Sequence, residues 1–301
     1  MDRFRLCHDK NGDSKEYIVM RLKQYLTEER SKGISKEQAL DILQTKCKKA
    51  FDLFKKTDFV IYRGVRSLSS DYAIVSPSKF TRKSANTDNY YTLINDNSPA
   101  WTKYPKRSKS IICSTSDHMA YRYGTVYAVF PFDNAKIGVC YGDDYWSSFL
   151  YLESITDIPA MYAFNNELKA TFDISIVKKY TGNIDNVKTY SELQKKFKKL
   201  DEFVKIYDSG DVESIDSDYH YSSNVLYKKF TGLLENWYSI TLFRKYYDFN
   251  DTEKYLRHLL DPKKNDFELK RVGKELPNDV EVWTDADSIL INNKILKNII
   301  S

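Results

Sequence analysis

The stretch "KSIICSTSD" (109–117) joins a short apolar run to three consecutive hydroxyl side chains. The apolar residues 111–113 predict a buried strand. The hydroxyls of Ser114, Thr115 and Ser116 stand at the end of that strand, immediately before a run of helix-forming residues. Such a triplet suits the start of a helix, where hydroxyls cap free backbone amides, and it equally suits a site that holds a ligand by hydrogen bonds.

Strand-like segments lie on both sides of this stretch. Four of them have an apolar, β-branched or alternating pattern: "DFVIYRGV" (58–65), "TVYAVFPF" (125–132), "AKIGVC" (135–140) and "DVEVWTDADSILINNKIL" (279–296). The first carries Arg63 and Gly64 near its end, and the last carries Glu281 between two valines.

Helical patterns dominate the rest of the chain. Residues 14–56 predict two helices, and Ser35 with Gln38 forms a capping-box pattern at the start of the second. Residues 67–107 are rich in Ser, Asn and Pro and predict a long loop, which is usually functional or disordered in a compact domain. From about 150 to 270 the period is helical, with 190–207 the plainest amphipathic segment and 224–247 the most apolar one.

This order of helices, strands, helices and strands predicts one α+β domain with a helical insertion, because the last strands need partners in the first part of the chain. The predicted ranges are an N-terminal helical segment (1–57), the first part of the core (58–150), the helical insertion (151–272) and the C-terminal strands that complete the core (273–301).

Composition and charge narrow the class of protein. Of 301 residues, 42% are apolar and 15% aromatic, enough to bury a large core, and the formal charge of +5 is mild for a protein that coats nucleic acid. The four cysteines are widely spaced and the four histidines lack ligand spacing, so we expect neither a disulfide framework nor a metal site. No N-terminal signal and no apolar run near the roughly 20 residues that span a bilayer are present, which predicts a soluble cytoplasmic protein without a membrane partner.

Each candidate site residue has an ordinary structural interpretation when it is taken singly. Arg63 suits a surface cation or a structural ion pair. The hydroxyl triplet suits a helix cap. Glu281 alternates with Val280 and Val282, as is typical of a solvated strand face. The combination of these residues, in this order, favours a shared site.

That combination resembles the R-S-E class of mono-ADP-ribosyltransferases, whose core is a split β-sheet. The motifs in this sequence are "VIYRGV" (60–65), "IICSTSD" (111–117) and "NDVEVW" (278–283). The segment "TVYAVFPFDNAKIGVC" (125–140) also looks like the third strand of that fold, and residues 84–116 look like a family of uncharacterised phage proteins that carries this core. The resemblance covers roughly 58–140 and 275–292.

The resemblance implies that NAD+ is the substrate and that Arg63, Ser114 and Glu281 are the catalytic residues. Arg63 would hold the pyrophosphate, because a guanidinium stays charged and donates two hydrogen bonds at once. Glu281 would stabilise the oxocarbenium-like ribose and hold its 2′-hydroxyl. Ser114 would brace the site by hydrogen bonds. The implied NAD+-binding set is Arg63, Gly64, Ser114, Thr115, Ser116, Tyr90 and Tyr91.

Within that set, Gly64 would let the backbone approach the nicotinamide amide, and Thr115 and Ser116 would stabilise the turn into the helix. Tyr90 and Tyr91 suit stacking on nicotinamide or adenine, and they suit a place in the core somewhat better.

Two residues bear on the acceptor and on the identity of the carboxylate. Asp279 stands two residues before Glu281, where the arginine-modifying members have Gln or Glu, and would orient the acceptor. Because a long separation lies between Ser116 and Glu281, Glu153 in "SFLYLESI" (148–155) is the alternative catalytic carboxylate. We prefer Glu281, since its segment is strand-like and precedes a second strand.

The sequence therefore predicts an NAD+-dependent mono-ADP-ribosyltransferase of phage or bacterial origin that modifies a host protein. A nucleic-acid acceptor is the further option, through the basic segments "YPKRSKS" (104–110) and "KKFKK" (195–199), although the second suits a solvated helix face better. Two other functions stay open. One is an inactive transferase core that binds a partner through the helical insertion, and the other, which the nearly balanced charge disfavours, is a nucleic-acid-binding protein.

Overall fold

The computed structural model describes residues 32–82, 89–156, 169, 172–173, 175–185, 187–209 and 251–299. The predicted helices in 14–31 and 224–247, together with His8 and His220, lie outside these ranges. In the part of the chain that is described, no helix combines the length and the apolar character needed to cross a membrane.

Nine strands and eight α-helices make up the described elements. The strands are β1 (Lys32–Gly33), β2 (Ile61–Val65), β3 (Tyr72–Val75), β4 (Ile111–Ser114), β5 (Thr125–Pro131), β6 (Lys136–Val139), β7 (Glu268–Arg271), β8 (Glu281–Thr284) and β9 (Ser288–Asn292). The helices are α1 (Lys36–Thr45), α2 (Lys48–Thr57), α3 (Asn89–Asn97), α4 (Asp117–Tyr121), α5 (Leu150–Thr156), α6 (Ser175–Thr181), α7 (Tyr190–Ser209) and α8 (Thr252–Leu259). Short 3-10 turns occupy Pro77–Lys79, Pro99–Trp101, Arg107–Lys109 and Asn293–Ile299.

The nine described strands form one antiparallel sheet in the order β1-β3-β9-β5-β2-β4-β8-β6-β7. Strands that are distant in the sequence are neighbours in this order, since β4 lies between β2 and β8. The predicted strands around 58–65, 111–116, 125–132, 135–140 and 279–296 are confirmed, and the fold is α+β with a single large antiparallel sheet.

The sheet is joined most weakly between β2 and β4. These two strands share the register pair Tyr62–Ser114, whereas β2 and β5 are paired along all of Ile61–Val65. The side chain of Arg63 spans this seam, because its Nη1 donates a hydrogen bond to the Ile112 carbonyl at 2.9 Å. A side chain therefore replaces part of the backbone ladder here.

Three hydrophobic cores cover the two faces of the sheet. The N-terminal core, under α1 and α2, contains Leu43, Phe51, Phe54, Phe130 and Ile289. The central core contains Ile61, Val65, Ile111, Cys113 and Val282. The insertion core contains Tyr90, Ile112, Tyr145, Phe267 and Trp283, with side chains from α5, α7 and α8. Alternate residues of β4 point into the last two cores, as a strand with two buried faces requires.

The N-terminal helices differ from the sequence prediction in one respect. The capping box is confirmed, since the Ser35 hydroxyl accepts from the Gln38 amide and the Gln38 side chain accepts from the Ser35 amide. The single helix predicted from there to 56 is wrong, because α1 and α2 are separated at Cys47. The Cys47 thiol donates to the Phe130 carbonyl at 3.2 Å, which attaches the break to β5.

The long loop predicted for 67–107 is also wrong. It contains β3, α3 and two 3-10 turns, and β3 pairs with β9 along its full length. Ser, Asn and Pro residues in this segment suggested a loop, but Tyr90, Tyr91 and Ile94 of α3 are buried. Tertiary burial has outweighed local composition.

The domain boundaries stay a prediction. Within the range proposed for the helical insertion lie α5, α6, α7 and α8, and also β7, which pairs with β6 and so extends the sheet. The Trp101 indole nitrogen donates to the Leu260 carbonyl at 2.7 Å, next to the end of α8. The described helices of this range therefore share a core with the sheet.

Candidate functional site

The three motif strands are neighbours in the sheet, in the order β2-β4-β8. Ser114, at the end of β4, lies opposite Glu281 on β8 and opposite Tyr62 on β2. Ser114 and Glu281 thus meet at one end of the sheet although a long stretch of sequence separates them.

The hydroxyl triplet holds the backbone that leads into Glu281. The Ser114 Oγ donates to the Val280 carbonyl at 3.3 Å and accepts from the Ser116 amide at 3.0 Å. The Thr115 Oγ1 accepts from the Val280 amide at 3.1 Å. Ser116 occupies the N-cap position of α4, but its side chain makes no capping hydrogen bond. Two of the three hydroxyls therefore connect β4 to the start of β8.

Glu281 forms a buried ion pair with Arg107, which lies in the 3-10 turn before β4. The Arg107 Nη2 is 2.8 Å from the Glu281 Oε1, and the two side chains are 7% and 15% exposed. The guanidinium lies 4.0 Å from the centre of the Tyr145 ring and 5.1 Å from that of Trp283, in cation–π contact with both. We call these four residues the buried centre.

The charges of the buried centre depend on one another. Burial raises the pKa of Glu281, and the nearby Arg107 guanidinium opposes that rise. Burial is the largest single influence on Arg107 and works to lower its pKa, but Glu281, Tyr145 and Cys140 together outweigh burial and leave the pKa raised. Burial also raises the pKa of Cys140 and of Tyr145 well above their ordinary values, so both stay neutral near pH 7.

The Arg107 Nη1 has no hydrogen-bond partner within the described ranges. A guanidinium nitrogen left in this way inside the protein is costly, because it has lost its water without gaining an acceptor. In the buried centre, the charges of Arg107 and Glu281 balance each other, but the Arg107 Nη1 has no acceptor in the described part of the chain.

Arg63 is directed away from this centre. Tyr62 of β2 lies opposite Ser114, so these two side chains share one face of the sheet. Arg63 follows Tyr62 on the same strand, and its side chain therefore points to the other face. Its side chain lines a small cavity of about 50 Å³ together with Phe80 and Arg82. The structure brings Ser114 and Glu281 together, and it does not bring the Arg63 side chain into the same pocket.

Gly64 serves the packing of α4. A Cβ at this position would lie 2.0 Å from the Ala120 carbonyl oxygen and 2.9 Å from the Tyr123 Cβ. The space predicted for the nicotinamide amide is filled here by α4 and the turn that follows it. The need for glycine thus comes from a close approach of helix to strand.

The two candidate stacking residues belong to the core. Tyr90 and Tyr91 are 2% and 0% exposed, and their rings lie 4.6 Å apart. Tyr91 also packs edge-on against Trp146 at 6.5 Å. The structure therefore supports their interpretation as core aromatics and leaves neither ring open to a ligand.

The other predicted residues lie apart from the buried centre. Asp279 is exposed in the turn before β8, with a left-handed φ of 56°, so it does not continue the strand of Glu281. Glu153 lies in α5, not on a strand, and the described structure does not extend to its side chain. His118 is exposed on α4, and the His258 Nε2 lies 2.8 Å from the Tyr151 hydroxyl.

Across the described ranges, no group of three or more His, Cys, Asp or Glu could hold a metal ion.

In the basic segment at 104–110, Lys106 is exposed and Arg107 is buried. In the other segment, Lys195, Lys198 and Lys199 are exposed on α7 around the buried Phe197. A nucleic-acid acceptor for these segments stays a prediction. Sequence reasoning missed the role of Arg107. A signal did exist, since Glu281 shares its strand face with Trp283, and a carboxylate buried on that face stays charged only when a cation or hydrogen-bond donors lie close to it.

Comparison with known proteins adds no relative: no family model matches the sequence, and neither a curated protein nor a solved structure is significantly similar to the chain.

Proposed function

We propose that this protein is an NAD+-dependent mono-ADP-ribosyltransferase with a split-sheet core, of phage or bacterial origin, which modifies a host macromolecule in the cytoplasm. The observation that carries the proposal is the pairing of Ser114 with Glu281 on β4 and β8, next to the strand of Arg63. The weak seam between β2 and β4 supports the split-sheet part of the proposal. A host protein is the favoured acceptor.

The proposed reaction does not require the protein to form a covalent bond with the substrate. The bond between the ribose and nicotinamide breaks, and its electron pair leaves with neutral nicotinamide. The acceptor then forms a new bond to the same ribose carbon and loses a proton. The protein has to hold the dinucleotide and stabilise positive charge on the ribose while the bond breaks.

Glu281 is the group that would stabilise this charge. It is backed by Ser114 and Thr115, whose hydroxyls fix the backbone of Val280. A carboxylate held by a braced strand pays little reorganisation energy when charge develops beside it. Because Arg107 neutralises the carboxylate in the described state, substrate binding has to exchange that guanidinium for the ribose hydroxyl.

Arg63 would take the pyrophosphate across the seam. Its guanidinium is half-buried and uses Nη1 to reach the Ile112 carbonyl. Moving from that carbonyl to a phosphate exchanges a neutral acceptor for a charged one, which strengthens the hydrogen bond. We therefore expect Arg63 and Arg107 to change partners together when NAD+ binds.

The direct test uses NAD+ labelled on the adenylate phosphate and a bacterial lysate. We expect the parent protein to release nicotinamide and to label a macromolecule. Glu281→Gln should lower both rates by about 100-fold or more, because it removes the charge that stabilises the ribose cation. Glu202→Gln, at an exposed position on α7, is the matched control and should behave as the parent does.

A folded but inactive variant separates catalysis from stability. Glu281→Gln leaves Arg107 buried without a countercharge, so the double variant Arg107→Met/Glu281→Gln, which removes both charges, should fold better and remain inactive. If the parent releases no nicotinamide above the buffer rate and Glu281→Gln is indistinguishable from it, the protein is not a transferase.

A second function is favoured by the closed state of the buried centre. The Glu281 carboxylate is buried and paired with Arg107, whose guanidinium lies against the Tyr145 ring. In addition, α4 fills the space beside Gly64, as a purely structural role would require. The alternative is an inactive core that binds a partner protein through the helical insertion. It predicts a complex that survives Arg63→Ala and Glu281→Gln but is lost on charge reversal at Lys195 and Lys199 of α7.

A further inference from the structure

An open cleft lies beside α4, the short helix that follows β4. Its volume is about 830 Å³, and it is walled by α4, by the first residues of β5 and by the segment after β9. Pockets that hold nucleotide-sized ligands range from about 300 to 1,000 Å³. The cleft is therefore large enough to take one nucleotide at a time.

The walls of the cleft are basic. Arg66, Arg122 and Lys294 contribute basic side chains, and His118 lies among them in the wall. Asp117 supplies the acidic side chain in the wall. Neither Arg122 nor Lys294 forms an ion pair with any residue in the described ranges, so both cations are available to an anionic ligand.

An aromatic ring accompanies these cations. Tyr121 is 73% exposed, in contrast to Tyr90 and Tyr91, which are buried. An exposed ring among basic side chains is the combination with which proteins hold an unpaired nucleic-acid strand, since the cations contact phosphates and the ring stacks on a base.

We propose that this cleft binds single-stranded nucleic acid, with Arg66, Arg122 and Lys294 on the phosphates and Tyr121 stacked on a base. A duplex fits poorly, because its bases are paired and stacked and none of them can enter the cleft to reach the ring. The proposal does not depend on transferase activity. If both proposals hold, α4 connects the two sites, because it lines the cleft and begins shortly after Ser114 in the sequence.

Fluorescence anisotropy with labelled oligonucleotides of about 12 nucleotides tests the proposal on the full chain, a length chosen from typical single-strand site sizes. We expect single-stranded RNA or DNA to bind at least about tenfold more tightly than the corresponding duplex, because only an unpaired base can stack on Tyr121. Between about 50 and 200 mM salt, three phosphate contacts predict a slope of about −2 in the logarithm of affinity against the logarithm of salt.

Two variants divide the interaction into its parts. Tyr121→Ala should weaken single-strand binding by at least about fivefold and leave the salt slope unchanged, since it removes stacking alone. The double variant Arg122→Glu/Lys294→Glu should weaken binding by about tenfold or more and flatten the slope. Tyr141→Ala, at a tyrosine that is 60% exposed outside the cleft, and Lys199→Glu on α7 are the matched controls and should bind as the parent does.

Four results would overturn the proposal. One is equal affinity for duplex and single strand, which would indicate a general polyanion surface. Another is a loss of binding in Lys199→Glu with none in the cleft variants, which would move the site to α7. The third is displacement of the oligonucleotide by ADP-ribose at matched concentration, which would assign the cleft to a dinucleotide. The fourth is the absence of any oligonucleotide binding by the parent protein.

Discussion

Arg107 and Arg122 stand on either side of β4 in the sequence, and the fold places them in opposite surroundings. Arg107 is buried, paired with Glu281 and stacked against Tyr145 and Trp283. Arg122 is exposed beside Tyr121 and has no ion pair in the part of the chain that is described. Each arginine has an aromatic residue near it. The two therefore differ mainly in exposure to solvent, since Arg107 is buried and Arg122 is exposed.

That difference sets what each region can do. A guanidinium taken out of water needs a countercharge, so the buried centre is coupled to the stability of the fold. A solvated guanidinium costs the fold little and keeps its hydrogen-bond donors for a partner. We therefore expect substitutions in the buried centre to act on stability and substitutions in the cleft to act on binding.

Breaking the buried ion pair should have the largest effect. Arg107→Met leaves Glu281 buried without a countercharge, which should lower the free energy of unfolding by about 3–5 kcal/mol. Arg107→Met/Glu281→Gln should recover most of that loss, because no unpaired charge remains. Urea unfolding of the parent, the single variant and the double variant measures both. A double variant as unstable as the single one would show that the loss comes from packing and not from charge.

The pH dependence of this loss follows from the raised pKa of Glu281. Burial holds that pKa above its ordinary value of 4.5, and removing Arg107 takes away the charge that opposes the rise. The folded variant then binds its proton more tightly than the unfolded chain does, so stability falls as pH rises from 4.5 through the raised pKa. The deficit of Arg107→Met against the double variant should be smallest below that range and largest near neutrality. A deficit that does not change with pH would contradict this account.

Gly64→Ala tests the element that lies between the two regions. Its Cβ would stand 2.0 Å from the Ala120 carbonyl oxygen, a backbone atom that cannot rotate away, so α4 has to shift. We expect a loss of about 2–3 kcal/mol in the free energy of unfolding. At Gly142 the nearest atom to an added Cβ is the Ser148 Oγ at 3.7 Å, so Gly142→Ala should stay within about 1 kcal/mol of the parent. Equal losses at both glycines would remove the argument for the contact with α4.

The hydroxyl triplet offers a finer comparison between neighbouring residues. Thr115→Val keeps the shape but removes the acceptor for the Val280 amide, which should cost about 1–2 kcal/mol. Ser116→Ala should cost less than about 0.5 kcal/mol, because the Ser116 side chain makes no capping hydrogen bond. Thermal unfolding of the two variants side by side decides this. The reverse ranking would mean that the triplet acts as a helix cap after all.

Substitutions in the cleft should have the smallest effect on the free energy of unfolding. Tyr121 is 73% exposed and Lys294 forms no ion pair within the described ranges, so Tyr121→Ala and Lys294→Glu should each change the free energy of unfolding by less than about 0.5 kcal/mol. Unfolding curves for both, measured under the conditions of the binding experiment, sharpen the contrast with Arg107. A loss above about 1 kcal/mol would place Tyr121 among the residues that hold the fold together.

Local patterns predicted much of this architecture. The capping box at Ser35, the strands around 58–65 and 111–116 and the paired C-terminal strands were all readable, because each depends on neighbours in the sequence. The strand and helix within 67–107 were not readable, since their polar composition is typical of loops and their structure depends on distant partners such as β9.

For the candidate site, the sequence by itself determined which residue types stand at which strand ends: an arginine on β2, hydroxyls after β4 and a glutamate opening β8. Tertiary structure alone decided that Ser114 faces Glu281, that Arg63 points to the other face, and that Arg107 is buried while Arg122 is not. The reason is physical. Alternation of side chains along a strand is a local property with a period of two residues. Which face of the sheet becomes buried depends on the order in which distant strands pair and on the elements that pack over them.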